Sequence, residues 1–134
     1  MNFLLDHNLP PVWAPVLNLL TEKQFGPKHR VCKLSDDFAP DTPDLVWLKK
    51  LASEGNWSVI SKDFFRKGRV ERNAFRANEV NIFVLSKSYL GTHDYWHSTA
   101  QLILWWPKII AHAESIRQQA VEVPWNLSTR FKAV

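Results

Sequence analysis

The sequence predicts a single α/β domain, a three-layer α/β/α sandwich around a mainly parallel sheet of four or five strands. Three observations predict it. Short apolar runs alternate with stretches of helical periodicity, the pattern of strand–helix–strand crossovers that put a parallel sheet between two helical layers. A chain of 134 residues has the length of one domain, enough to bury about two-thirds of its unfolded surface. Seven Trp, eight Phe and a 46% hydrophobic composition supply the core, and 22% charged residues argue against disorder.

The first apolar run, residues 2–5, ends in Asp6 and reads as a buried strand. Pro10 and Pro11 then open a helix in which Val12, Trp13, Val16, Leu17, Leu19 and Leu20 recur at helical spacing, with Pro15 disturbing its start and Gly26-Pro27 closing it. Residues 29–34 form the second strand, followed by an acidic loop over 35–41. Thr42 is placed to cap a helix whose first position is Pro43, and Leu45, Leu48, Leu51 and Ala52 form its apolar stripe. Gly55 ends that helix, Trp57–Ser61 is the third strand, and Lys62-Asp63 lies just past it. Residues 64–78 are polar and basic, with helix in their second half, and residues 80–85 carry the clearest strand signal. A turn over 89–92 leads into a long helix that begins near His93 or Asp94, continues past Pro107 and ends about Gln118. These elements define a domain over 1–119. A tail over 120–134 contains one apolar patch, 121–125, that docks as an edge strand or stays flexible.

Several classes are excluded or disfavoured. Cys32 is the single cysteine, so no intramolecular disulfide forms, and in RVCKL it reads as a buried, inert thiol. The N-terminal residues lack a basic leader, and LILWWPKII is short and interrupted by Pro107 and Lys108. No membrane span and a cytoplasmic location are therefore expected. With four Gly there is no phosphate-binding loop of the Walker or Rossmann type, and no Gly-x-Ser-x-Gly elbow. Seventeen Lys and Arg against thirteen Asp and Glu leave +4, and the placement is uneven: acids dominate 36–44 and bases dominate 62–76. A negative pocket beside a positive rim suits a metal enzyme acting on a charged backbone, although solvated loops have the same composition.

The candidate chemistry lies at strand ends, because ligands of open parallel sheets bind outside the carboxyl ends of the strands. Asp6 and Asp63 both fall one or two residues past such an end. Asp44 falls at the start of a helix, where the dipole favours a carboxylate. Together they would repel one another unless a cation sat between them, and an all-oxygen site suits Mg²⁺ or Mn²⁺ rather than zinc. Taken singly, each Asp also fits ordinary turn or capping chemistry. His7 should point away from Asp6, His93 and His97 share a helix face without a third ligand, and Trp105 and Trp106 read as core. An apolar final helix also suits self-association or a partner protein.

LLDHNLPP, the segment PDTPDLVWLKKLASEGNWSVISKD and the FVL strand together resemble the PIN-like domains, in particular the toxin-type branch of bacterial toxin–antitoxin pairs. The resemblance runs from Met1 to the long helix near Ile116. It implies a metal-dependent endoribonuclease that hydrolyses RNA phosphodiester bonds, with Asp6, Asp44 and Asp63 as metal ligands. Asn8 matches the family's Asn and would orient Asp6 or a metal-bound water. Lys62, Arg66, Lys67, Arg69 and Arg72 would hold the RNA backbone, and an antitoxin protein is the implied partner; a homodimer is expected only from the apolar final helix. The sequence departs from the pattern at Ser86-Lys87, where many PIN domains carry another carboxylate; Asp41 or Asp94 would have to replace it, or it is absent. That departure keeps open a module that binds nucleic acid or a protein without catalysis. A receiver-like phosphoacceptor domain is a third reading, but it needs an acidic pair after the first strand.

Overall fold

The structure is a computed structural model, and it describes residues 1–63 and 80–134. Six strands form one sheet: β1 (Asn2–Leu5), β2 (Arg30–Lys33), β3 (Trp57–Ser61), β4 (Asn81–Leu85), β5 (Ala120–Val123) and β6 (Lys132–Ala133). Their order is β2-β1-β3-β4-β5-β6, parallel throughout except for β6, which pairs antiparallel with β5. Three helices are described: α1 (Trp13–Phe25), α2 (Asp44–Glu54) and α3 (Tyr95–Ser115). The sandwich predicted from the sequence is the fold observed.

Alternation along the strands divides the core in two. Phe3, Leu5, Ile60, Phe83, Leu85, Val121 and Val123 face α1 and α3, where Trp13, Leu17, Trp105 and Trp106 cover them. Leu4, Val59, Ile82 and Val84 face the opposite way and pack with Trp47, Leu48 and Leu51 of α2. Strands apolar on both faces are the signature of a sheet covered on both sides. Truncating a side chain as deeply placed as Trp13, Trp47 or Trp105 would cost about 3–5 kcal/mol.

The two crossovers on the α1 face run in opposite directions. The chain leaves β1 for β2 on one side of the sheet's centre, and leaves β4 for β5 on the other, yet α1 and α3 lie side by side. Trp13 Nε1 donates to Thr99 Oγ1 at 2.7 Å and Trp106 Nε1 to Thr21 Oγ1 at 2.9 Å, so the helices also run parallel. The β4–α3–β5 crossover therefore has the opposite hand to β1–α1–β2, so one of the two departs from the near-universal right-handed rule. The turn Ser88–Thr92 redirects the chain: Leu90 takes a left-handed backbone (φ 56°) and its N–H donates to Ser98 Oγ at 2.9 Å. The buried Tyr89 anchors it by donating from its hydroxyl to Pro124 O at 3.0 Å.

Four local expectations change. In α1, Trp13, Ala14, Leu17 and Thr21 are buried while Val12, Leu19 and Leu20 are exposed, because the helix is apolar most of the way round and spacing alone does not select a face. Leu45 is 41% exposed, since it sits in the first turn of α2 at the rim of the sheet. Thr42 does not cap: Pro43 holds the cap position, and Asp44 is the first helical residue. The segment that begins the tail becomes β5 inside the sheet, with β6 outside it, one strand more than expected. The long helix passes through Pro107 as anticipated. No described helix is long and apolar enough to cross a membrane.

Candidate metal centre

In a sheet ordered 2-1-3-4-5 the crevice opens where consecutive connections leave in opposite directions, between the carboxyl ends of β1 and β3. Asp6 follows β1 immediately and Asp63 stands two residues beyond β3, so the two carboxylates flank that point. Asp6 is fixed through its backbone, its N–H donating to Ile60 O at 3.0 Å. Its Oδ1 accepts the His7 N–H at 2.7 Å and its Oδ2 accepts the Ser61 hydroxyl at 2.9 Å. The same hydroxyl stands 3.4 Å from Asp63 Oδ1, so one side chain bridges the two acids. Asn8 donates from Nδ2 to Asp63 Oδ1, which assigns it to Asp63 and not to Asp6.

Asp44 enters from the other side. As the first residue of α2 it lies at the positive end of the helix dipole, and the Trp47 indole, one turn on, donates to its Oδ1 at 3.1 Å. A cavity of about 350 Å³ joins these elements, lined by Asp6, Asn8, Asp41, Asp44, Asp63 and His7 and closed by the 40–43 turn. All three ligands inferred from the sequence, both supporting residues and one rejected histidine thus share one hollow. Burial raises the Asp6 carboxyl above its ordinary value, Ser61 and the His7 N–H pull it back, and the charges of Asp63 and Asp44 add to the rise. Among the described residues, however, no group of three His, Cys, Asp or Glu side chains stands close enough to hold a metal ion.

The remaining candidates separate cleanly. Asp94 caps α3, accepting the His97 N–H at 2.8 Å with the His97 ring 2.9 Å away, and does not line the cavity; of the two possible fourth acids, only Asp41 does. Ser86 brings a buried hydroxyl with no hydrogen-bond partner among the described residues to the end of β4. His93 stacks on Trp125 at 3.7 Å, so His93 and His97 have separate roles. Trp105 and Trp106 are core, and burial pushes the Cys32 thiol up to about 11, the inert state expected. Lys62 is half-buried beside Asp63, while Arg66, Lys67, Arg69 and Arg72 lie outside the described residues.

Sequence reasoning missed Ser61 and Trp47 as supports. The signal was present in each case: Ser-x-Asp at a strand end, and an indole one turn after Asp44. It also missed a larger hollow, about 510 Å³, at the amino end of the sheet between Met1, Gly55, Trp57, Asn81, Glu114 and Arg117. A family model for a PIN-like domain matches residues 1–87, which contain every candidate ligand. No curated protein and no solved structure matches the chain.

Proposed function

The chain belongs to the PIN-like domain family, whose members are in general nucleases, and on that premise we propose that it is a metal-dependent endoribonuclease, the toxin of a toxin–antitoxin pair. The observation that carries the reading is the meeting of Asp6, Asp44 and Asp63 in one cavity at the switch point of the sheet.

The donor set fits a hard divalent cation. It is all oxygen, it carries at least three negative charges, and burial with mutual repulsion holds the Asp6 carboxyl up, as expected where positive charge is lacking. Asp6, Asp44 and Asp63 would hold Mg²⁺ or Mn²⁺, with Asp41 the nearest further oxygen donor. When bound, the ion supplies Lewis-acid charge at a phosphoryl oxygen and acidifies a water. The chain's own part is positioning. Ser61 keeps Asp6 and Asp63 in register, Asn8 restrains Asp63, and Trp47 orients Asp44. Lys62, next to Asp63 in the chain, would meet a phosphate backbone, a contact that positions a strand without reading its sequence.

The test is cleavage of RNA by purified protein with Mg²⁺ or Mn²⁺, against a chelator control. The expected result is metal-dependent cleavage that Asp6→Asn and Asp63→Asn each remove. Activity surviving both substitutions overturns the site. Growth arrest on expression, relieved by co-expressing a protein from an adjacent gene, tests the toxin role. A second reading, a module that binds RNA or a protein without cutting, is favoured by Ser86 standing where a carboxylate was expected. RNA binding without cleavage under every divalent ion tried would establish it.

A further inference from the structure

Of the seven tryptophans, five are buried in the two halves of the core and Trp125 stacks with the His93 ring, whereas Trp96 is 78% exposed. Tyr95 beside it is 39% exposed and meets the indole at right angles, with ring centroids 5.5 Å apart and planes at 86°. The exposed pair stands on a rigid mount. Asp94 caps α3 by accepting the His97 N–H at 2.8 Å. Ser98, fully buried, donates to His93 O at 3.3 Å and accepts the Leu90 N–H. Thr99 donates to Tyr95 O at 2.6 Å and accepts the Trp13 indole N–H. The first turn of α3 is therefore fixed from three sides, while its two aromatic rings stay open to a ligand.

That turn belongs to the same end of the sheet as the metal centre. The chain enters α3 from the carboxyl end of β4 through the 88–92 turn, and enters α1 from the carboxyl end of β1. Between Asp6 and Trp13 lie two tight turns, closed by the Leu9 N–H on Asp6 O at 3.1 Å and the Trp13 N–H on Pro10 O at 3.0 Å. The Trp13 indole then reaches Thr99 across one hydrogen bond of 2.7 Å. A short, compact path thus joins the acid pocket to the helical turn that carries Trp96. Lys62 and Lys87 follow the adjacent strands β3 and β4 on the same rim. The exposed neighbours of the two rings in the chain are polar: Thr92, Asp94 and His97. An aromatic face in a polar surround matches a nucleobase, which has stacking faces and hydrogen-bonding edges.

We propose that Trp96, steadied by Tyr95, is a stacking platform for an unpaired base of the RNA strand that passes the metal centre. The strand's identity rests on the nuclease reading, and the platform adds the requirement that the RNA be single-stranded. In a duplex each base is already stacked on its neighbours and the indole finds no free face, whereas an unpaired base can be splayed out onto it. Lys62 and Lys87 meet phosphates whatever the sequence, so charge supplies general affinity and the indole supplies the choice of strandedness. Because the mount is preformed, little ordering is lost when the base arrives.

Titrating the full chain into a labelled short RNA, single-stranded or annealed to its complement, in low salt with a chelator measures affinity apart from cleavage. The wild type should bind the single strand about tenfold or more tightly than the duplex. Trp96→Ala should lose about 10- to 100-fold for the single strand and nothing for the duplex, with an unchanged thermal melt because the indole is exposed. Trp96→Phe, which keeps a ring, should retain most of the affinity. A phosphodiester strand of the same length without bases should bind the wild type and Trp96→Ala alike. Single-strand affinity that survives Trp96→Ala overturns the proposal and leaves the indole to a protein contact. A loss equally large on the base-free strand or on the duplex overturns it too. The nuclease reading fails separately: Trp96-dependent binding with no cleavage under any divalent ion refutes that reading and leaves the platform standing.

Discussion

The two ends of the sheet carry polar groups from the same strands but treat them differently. At the amino end several polar groups are paired within the chain, while Trp57 Nε1 and the His29 ring nitrogens are buried without a hydrogen-bond partner among the described residues. Asn81 reaches Ser58 Oγ at 3.4 Å and Ile116 O at 3.5 Å while accepting the Gln119 N–H at 3.2 Å, and the Met1 amino group donates to Lys28 O at 3.0 Å. Glu114 pairs with Lys28 at 3.2 Å. At the carboxyl end, Asp6, Asp41 and Asp44 have no ion-pair partner among the described residues, and the neutral donors Ser61 and Trp47 hold two of them. The larger hollow is thus bordered by groups that pair mostly within the chain, and in the smaller one Asp6, Asp41 and Asp44 meet no counter-charge among the described residues. Unmatched charge marks a binding site better than volume does.

Breaking the carboxyl end should have the largest effect on activity. Asp6→Asn should lower kcat/KM for RNA cleavage by about 1,000-fold or more, the scale of losing a transition-state charge interaction. The matching change at the other end, Asn81→Ala, should leave kcat of the folded protein unchanged and cost about 1–3 kcal/mol of stability, measured by urea unfolding. If Asn81→Ala abolished cleavage without destabilising the fold, the contrast between the ends would fail.

A smaller effect sharpens the same contrast. Because burial disfavours the ionised Asp6, replacing it with Asn should raise the melting temperature in a chelator by a few degrees, about what 1 kcal/mol gives at this size. Saturating Mg²⁺ should stabilise the wild type and not the variant.

The smallest effect belongs to His29 at the amino end. Its ring is buried between Phe3 and Phe25, with Nε2 3.5 Å from Glu114 Oε1 and no hydrogen bond formed. Burial lowers its pKa below 6.5, the N-terminal ammonium adds to this, and Glu114 opposes it. The unfolded chain thus binds the proton first. This contribution to stability is full above pH 6.5 and is lost as pH falls from there through the lowered folded-state value. His29→Gln should flatten that part of a stability–pH curve; an unchanged slope would show that His29 does not produce it.

Much of this was legible in the chain because strand and acid are adjacent in sequence. Leu5-Asp6 and Ser61-Lys62-Asp63 each combine a buried run with the residue that ends it, so neighbouring positions give both the fold and the site. Legibility failed where the answer depends on what packs from afar. Leu17 and Leu20 are alike in sequence, and only what packs against α1, the sheet and α3 together, decides that one is core and the other exposed. The partner of Asn8 lies 55 residues away, across the β1–β3 crevice. β5 is four residues long, and its strand identity comes from pairing with β4, not from its own pattern.

The opposite hands of the two crossovers bear on what constitutes an autonomous folding unit here. The stretch matched by the family model ends at residue 87, before α3 begins. A chain cut there would keep every candidate ligand but would leave the face carrying Ile60, Phe83 and Leu85 without the helix that lies over them. During synthesis the same face stays open until α3 and β5 have emerged. The residues that would perform the chemistry therefore depend for their rigidity on a segment that contributes no ligand.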